Sequence, residues 1–281
     1  MNEVHALPPL VSSREKVAVI LLGAGYPFQG GLPTSLHETP DHRLVLDWII
    51  DAYSDFEPAW HFVGGFQIDD IIQKYPYLNY STNTNWQTTK VVESLFSAPL
   101  QTNIDHFISY TDIVYSNDVI AQLRNATGDI VLAVDTLWRE RYENRSIDDL
   151  NIAEKVVLDG FHIMNMGRSI DCKKAHAEFA GIAKISGRAV QMVMDLRTSV
   201  RSDFGDAGLL DLFIHLQSRG LKIQAVDIQG NWAELNAPQD LARYVLKTKS
   251  ETLERLRPRV IKSQIGEQVS FRVGDWLSGQ V

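Results

Sequence analysis

The chain has 281 residues, 44% of them hydrophobic and 22% charged, and a formal net charge of −8. A chain of this size buries roughly 75% of the surface that its extended form exposes, so it needs no staples, and the lone Cys172 can make no internal disulfide. The acidic balance argues against broad nucleic-acid binding, no apolar run reaches the ~18 residues of a membrane span, and the first residues lack a signal-peptide pattern, which together predict a soluble cytoplasmic chain.

In chain order, Val17–Leu22 is a short β-branched and aliphatic run closed by glycine, and reads as a buried first strand. Arg43–Tyr53, with Leu44, Leu46, Ile49 and Ile50, is predicted helical, Ala59–Val63 a second strand, Ile68–Lys74 a short helix and Tyr77–Tyr80 a third strand. Thr88–Ala98 places Val91, Val92, Leu95 and Phe96 on one helical face. Ile104–Ser109 and Ile113–Tyr115 read as strands, Asp118–Asn125 as a helix and Asp129–Val134 as a strand. From Glu154 the pattern changes, because Lys155–Leu158 and Phe161–Asn165 flank Asp159-Gly160, a dipeptide that favours a tight hairpin turn. Glu178–Ile185 is a further strand, and helices cover about 187–200 and 206–218. Leu221–Ile228 and Trp232–Leu235 read as strands, and Pro238–Lys247 as a helix with proline near its start.

Alternating strands and helices broken by a hairpin predict an α/β fold. The expected architecture is a mainly parallel, Rossmann-like sheet sandwiched by helices, with ligand loops at the carboxyl ends of its strands. One domain is expected over 1–256. Arg257–Val281 carries Pro258, Gly266, Gly274 and Gly279, and is expected to be a C-terminal arm or the start of a following domain.

The loop after the first strand, in "VAVILLGAGYPFQGGLPTSL", departs from two familiar phosphate-binding patterns. Phe28 stands at the third glycine of a dinucleotide fingerprint, and Gly30 is followed by Gly31-Leu32 rather than by Lys-Ser/Thr. A general reading remains: glycines there let the backbone approach a ligand and offer N–H groups to phosphate, or they simply make a tight βα turn.

Further stretches stand in a fixed order. They are "VILLGAG", "NTNWQTTKVVESLFSA" (Asn83–Ala98), "TDIVYSNDVI" (Thr111–Ile120) and "VDIQGNWAELNAPQDL" (Val226–Leu241), with "EFAGIAKIS" (Glu178–Ser186) as a fifth and weaker match. This order resembles the nucleotidyltransferases that activate sugar phosphates and phosphocholine, and most closely their phosphocholine or phosphonate cytidylyltransferase branch. The resemblance spans about Val17–Leu241 and implies the nucleotide-diphospho-sugar transferase type of fold, with the hairpin as an insertion.

It also implies a mechanism and a set of residues. A phosphorylated or phosphonate acceptor attacks the α-phosphorus of a nucleoside triphosphate, CTP by the closest branch, and pyrophosphate leaves. Mg²⁺ offsets the developing charge. Leu22, Gly23, Ala24 and Gly25 would cradle the nucleotide with Asn85 of the Asn-rich turn. Asp112 matches the first metal carboxylate, and Asn236 falls where the closest branch has Asp. Read on their own, Asp112 has the alternative of a solvated loop carboxylate, and Asn236 is equally a turn residue before Pro238. Asp135, Glu178 and Glu234 are the acceptor-side residues, although Asp135, at its strand end, is also placed to cap the adjoining segment.

The chain departs from the family pattern at the opening loop. The family has Gly-x-Gly-x-Arg followed by Pro-Lys, whereas here Phe28 or a neighbour stands for the arginine and Pro33-Thr34 for Pro-Lys. A transition-state arginine is commonly worth about 10³–10⁵ in rate, so an active enzyme needs other cations. Arg43 and then Lys90 are the nominated replacements. A chain without such replacements would be a degenerate nucleotide-binding, docking or regulatory module.

The remaining constellations read as structure. Arg139, Arg141 and Arg145 could meet an acidic acceptor, but interleaved with Glu140, Glu143, Asp148 and Asp149 they look more like a solvated ion-paired face. The histidines show no metal-ligand spacing, and no Gly-x-Ser-x-Gly elbow occurs. Trp232 is expected to pack under the last strand. The tail faintly resembles the lead-in to the ATP-binding domain of phosphoenolpyruvate-synthase-like phosphotransferases, which would imply a fused kinase-like domain.

Overall fold

A computed structural model of the chain describes residues 17–27, 30–39, 41–143, 145–199 and 201–235. The predicted helix Pro238–Lys247, the residue Asn236 and the arm Arg257–Val281 lie outside the described residues.

Nine strands form one mixed sheet. They are β1 (Val17–Gly23), β2 (Ala59–Gly64), β3 (Asn79–Thr82), β4 (Asp105–Tyr110), β6 (Ile130–Asp135), β7 (Lys155–Asp159), β8 (His162–Met166), β9 (Ala177–Ile185) and β10 (Ile223–Asp227). Their spatial order is β3-β2-β1-β4-β9-β6-β10-β8-β7. β3, β2, β1 and β4 run parallel, as do β6 and β10. β9 is inserted antiparallel between β4 and β6. Two further strands, β5 (Ile113–Tyr115) and β11 (Trp232–Glu234), pair antiparallel as a separate small sheet.

β1 is apolar at six successive positions because both of its faces are covered. Side chains alternate across a strand, so Ile20 and Leu22 join one core and Val17, Val19 and Leu21 the other. The first core is closed by α3 (Val91–Phe96), α7 (Gly187–Ser199) and α8 (Leu209–Ser218). The second is closed by α1 (Val45–Asp51), α2 (Ile68–Lys74), α4 (Asn117–Asn125) and the small sheet. The first, second and fourth predicted parallel strands therefore share a sheet with Asp129–Val134, as expected.

Several boundaries differ from the sequence reading, for local reasons. β3 starts two residues late because Tyr75 turns inward, 3% exposed, and donates its hydroxyl to Asp47 at 2.8 Å. α3 starts at Val91 because the preceding segment is held as a turn. Asn83 Oδ1 accepts from the Asn85 N–H at 3.0 Å, and its amide donates to Thr89 and Ser94 at 3.1 Å. The predicted hairpin, β7–β8, joins the main sheet through β10, and the first residues of β7 also pair with β9.

The arginine-rich segment is not simply a solvated face. It folds as α5 (Trp138–Arg141) and α6 (Ile147–Ile152) around a small third core of Trp138, Tyr142, Ala153 and Ala175. Ser146 caps α6 reciprocally with Asp149. At the other end the buried Lys155 donates to the carbonyls of Leu150, Asn151 and Ala153 at 2.9–3.3 Å, so its charge meets the negative end of the helix.

Candidate functional site

A cleft of about 860 Å³ opens at the carboxyl ends of β1 and β4. Its floor is the glycine loop, Leu22 to Gly25, and two glycines there do different things. A Cβ on Gly23 would lie 2.4 Å from Phe62 and 2.6 Å from the Thr111 hydroxyl, so this glycine is demanded by packing. A Cβ on Gly25 would meet nothing within 4 Å. Gly25 presents backbone to open space, which is what close approach by a ligand requires.

One wall comes from the turn before α3, where Asn83, Trp86 and Lys90 line the cleft. Trp86 packs edge-on against Phe66, and Phe66 against Tyr26, at 5.7 and 4.7 Å between ring centres. Lys90 is half exposed and pairs with Asp206 at 2.8 Å.

The deeper end is acidic. Asp112, Glu154, Glu178 and Glu234 all line it, from the β4–β5 turn, the residue before β7, β9 and β11. Burial pushes the Asp112 carboxyl up to about 7, with the negative charges of Glu234 and Glu154 adding to it. No basic side chain among the described residues pairs with Asp112. Burial also raises Glu178 to about 7 against the pull of Arg141, and raises Glu154 against that of Arg168. Tyr110 donates to Glu154 at 3.3 Å, and Tyr142 to Glu178 at 2.6 Å. Next to Glu178, β9 bulges by two residues around Gly181, whose φ of 78° lets the strand pass 2.6 Å (for a Cβ) from the Tyr110 ring.

The nominated residues separate into two groups. Leu22, Gly23, Ala24, Gly25, Lys90, Asp112, Glu178 and Glu234 share the cleft. Arg43 does not line it: its guanidinium pairs with Asp51 and lies over Trp48, on the outside of α1. Asn85 is exposed outside the cleft, and Asn83, two residues earlier, is the turn residue that lines it. Asp135 does not line it either. Its carboxylate, 1% exposed, accepts from the Leu137 N–H, the Gly230 N–H and the Trp232 indole at 2.9, 3.0 and 2.9 Å.

No protein-family model matches the chain. A CTP:phosphoglutamine cytidylyltransferase of Campylobacter jejuni subsp. jejuni serotype O:2 is 24% identical over 245 residues, 79% of this chain and 96% of that protein. An inositol-1-phosphate CTP transferase structure from T. maritima superposes with a TM-score of 0.63 at 16% identity, covering 86% of this chain and 98% of that one. A CTP:phosphocholine cytidylyltransferase structure from Streptococcus pneumoniae gives 0.59 at 14% identity, covering 83% and 99%. The chain has the nucleotide-diphospho-sugar transferase type of fold that these structures share, and its sequence is similar to that of the cytidylyltransferase.

Two cleft residues that sequence reasoning did not nominate as replacement cations are informative. Arg145 and Arg168 line the cleft together with Lys90, on elements far from the glycine loop. Arg168 is 3.2 Å from Glu154, and Arg145 stands over the Tyr142 ring at 5.6 Å. The buried Glu154 was also missed. The available signal was its position directly before a strand, which alone says nothing of burial.

Proposed function

We propose that the chain transfers a cytidylyl group from CTP to a small phosphorylated or phosphonate acceptor and releases pyrophosphate. One observation carries the reading: an open glycine loop, a half-buried carboxylate that no basic side chain among the described residues pairs with, and three cationic side chains converge on one cleft. A triphosphate brings several negative charges, and backbone N–H groups at Gly25 offset only part of them. Lys90, Arg145 and Arg168 line the same cleft and stand in for the loop arginine and lysine that the chain lacks.

A phosphoryl oxygen of the acceptor attacks the α-phosphorus, the new P–O bond forms, and the α–β bridging P–O bond breaks in line. The nucleophile is already an anion, so no general base is needed. The chain's contribution is alignment and charge. Asp112 suits Mg²⁺, because it is an oxygen donor whose charge is opposed by burial and by two neighbouring carboxylates and met by no basic side chain among the described residues. When bound there, Mg²⁺ would offset phosphate charge. Asn236, the second ligand implied by the resemblance, lies outside the described residues. Glu178 and Glu234 face the acceptor in this reading, and Trp86 and Asn83 the nucleotide.

A second reading is favoured by one observation: Arg43 is committed to Asp51, and Lys90 is held by Asp206. On that reading the cleft binds a nucleotide weakly and turns nothing over, and the chain is a docking or regulatory module. Pyrophosphate release from CTP, UTP, GTP and ATP with Mg²⁺ separates the two. The acceptors are phosphoglutamine, phosphocholine, inositol 1-phosphate and aminoethylphosphonate. Turnover with CTP supports transfer; binding without turnover for every pair supports the module.

A further inference from the structure

Arg141 lies behind the cleft rather than in it, and it holds two side chains that do line it. Its Nη1 donates to Glu178 and its Nη2 to Glu234, each at 2.9 Å. Glu178 belongs to β9 of the large sheet and Glu234 to β11 of the small one. One guanidinium at the end of α5 therefore ties the two sheets together at the acidic end of the cleft. The side chain is 13% exposed, and its guanidinium carbon lies 3.9 Å from the centre of the Trp232 indole. That indole is in turn anchored on Asp135, which also holds the start of α5 through Leu137. Both the arginine and the ring beneath it are fixed from the same strand end.

Given the nucleotidyl transfer proposed above, on which this rests, we infer that Arg141 is a positioning residue that sets the acceptor wall. It does not touch ligand. It fixes the separation of Glu178 and Glu234, and the planar fork reaches two carboxylates on two elements at once. A lysine ammonium is a point charge on a flexible stem and cannot hold both directions together. The role is thus geometric as well as electrostatic.

The test uses Arg141→Lys, which keeps the charge, beside Arg141→Met, which removes it. With CTP and phosphoglutamine or phosphocholine, Arg141→Lys is expected to lower kcat/KM for the acceptor by on the order of 10²-fold, because a misplaced wall spoils alignment. CTP affinity, read from the thermal shift that CTP induces, should stay within about threefold of the parent. Amide exchange in the apo chain should speed up by about tenfold at Trp232–Glu234 and at the start of β9, with β1 and β4 unchanged. A lysine variant with parental acceptor kinetics and exchange would overturn the inference, as would one that loses CTP binding and acceptor use to the same degree. If Arg141→Met does not fold, the lysine variant alone decides. If the parent turns over no acceptor, nucleotidyl transfer fails, while the exchange measurement still tests the tie between the two sheets.

Discussion

Asp135 tests whether a carboxylate at a strand end serves ligand or structure. Its three hydrogen bonds join the end of β6 to the start of α5 and to the turn that leads into β11. Substituting alanine leaves three donors without an acceptor at a site that is 1% exposed. A hydrogen bond to a charged group contributes about 1.5–3 kcal/mol, and an orphaned buried donor costs about 1–3 kcal/mol. The three share one carboxylate and one turn, so they do not add fully, and a total loss of about 3–5 kcal/mol is expected. For a domain of about this size each kcal/mol is worth about 2–4 °C, so the unfolding midpoint should fall by about 6–20 °C. Asp135→Asn should lose less, about 2 kcal/mol, because its oxygen can keep the Leu137 and Gly230 bonds while its amide opposes the Trp232 indole donor to donor. Urea unfolding gives the stability change, and CTP titration well below the midpoint gives the ligand affinity, expected to stay within about twofold of the parent. An Asp135→Ala chain with an unchanged midpoint and a raised acceptor KM would refute this reasoning and return Asp135 to the acceptor pocket.

Three more outcomes are expected. Gly23→Ala should destabilise the fold by about 1–3 kcal/mol through its clash with Phe62 and Thr111, while Gly25→Ala should leave stability unchanged and weaken CTP binding; two variants with the same thermal and binding behaviour would contradict the division of roles. Arg43→Ala should leave CTP kinetics untouched and Lys90→Ala should raise the CTP KM about tenfold, and the reverse pattern in steady-state assays would restore the Arg43 nomination. Glu178 is raised from its ordinary 4.5 to about 7, with Arg141, Tyr142, Glu234 and Asp135 as its charged or titratable neighbours. The folded chain therefore binds that proton more tightly than the unfolded one, so the associated stability is full below pH 4.5 and is lost as pH rises to about 7, by at most about 3 kcal/mol. Melting curves of the parent and Glu178→Gln between those pH values should converge at the acid end and separate at the neutral end, and parallel curves would argue against the shift.

Much of the fold is legible because several strands are short, largely buried apolar runs, with glycine closing β1 and β2 and preceding β6. β1, β2, β4 and β6 each stand within about two residues of their predicted positions. The neighbours of β9 were not legible. Every one of its nine residues is buried, so no alternation reveals which strands flank it, and its antiparallel place between β4 and β6 is set by tertiary contacts. α5 was hidden by charge. Trp138 and Tyr142 stand four apart on one buried face, but Arg139, Glu140 and Arg141 between them dominate the local composition. That four-residue aromatic spacing was the available signal.

The site was legible where one segment supplies it and illegible where distant segments meet. The glycine loop, Asp112 and the Asn-rich turn follow from local patterns, with Asn83 rather than Asn85 in place because the turn folds back on its first asparagine. The charge balance does not follow in this way. Arg141 is 37 residues from Glu178 and 93 from Glu234, and no window contains all three. Arg43 illustrates the converse. It is close to the loop in sequence, yet Asp51, at the far end of the helix that Arg43 precedes, pairs with its charge. Proximity in sequence therefore misleads when looking for a replacement cation, because a nearby arginine also has nearby carboxylates. The cations that line the cleft, Lys90, Arg145 and Arg168, come from three elements that only the folded sheet brings together. A loop without arginine or lysine removes the local solution to a triphosphate's charge and leaves the distributed one, and the Lys90→Ala kinetics bear on how much of that charge the distributed set carries.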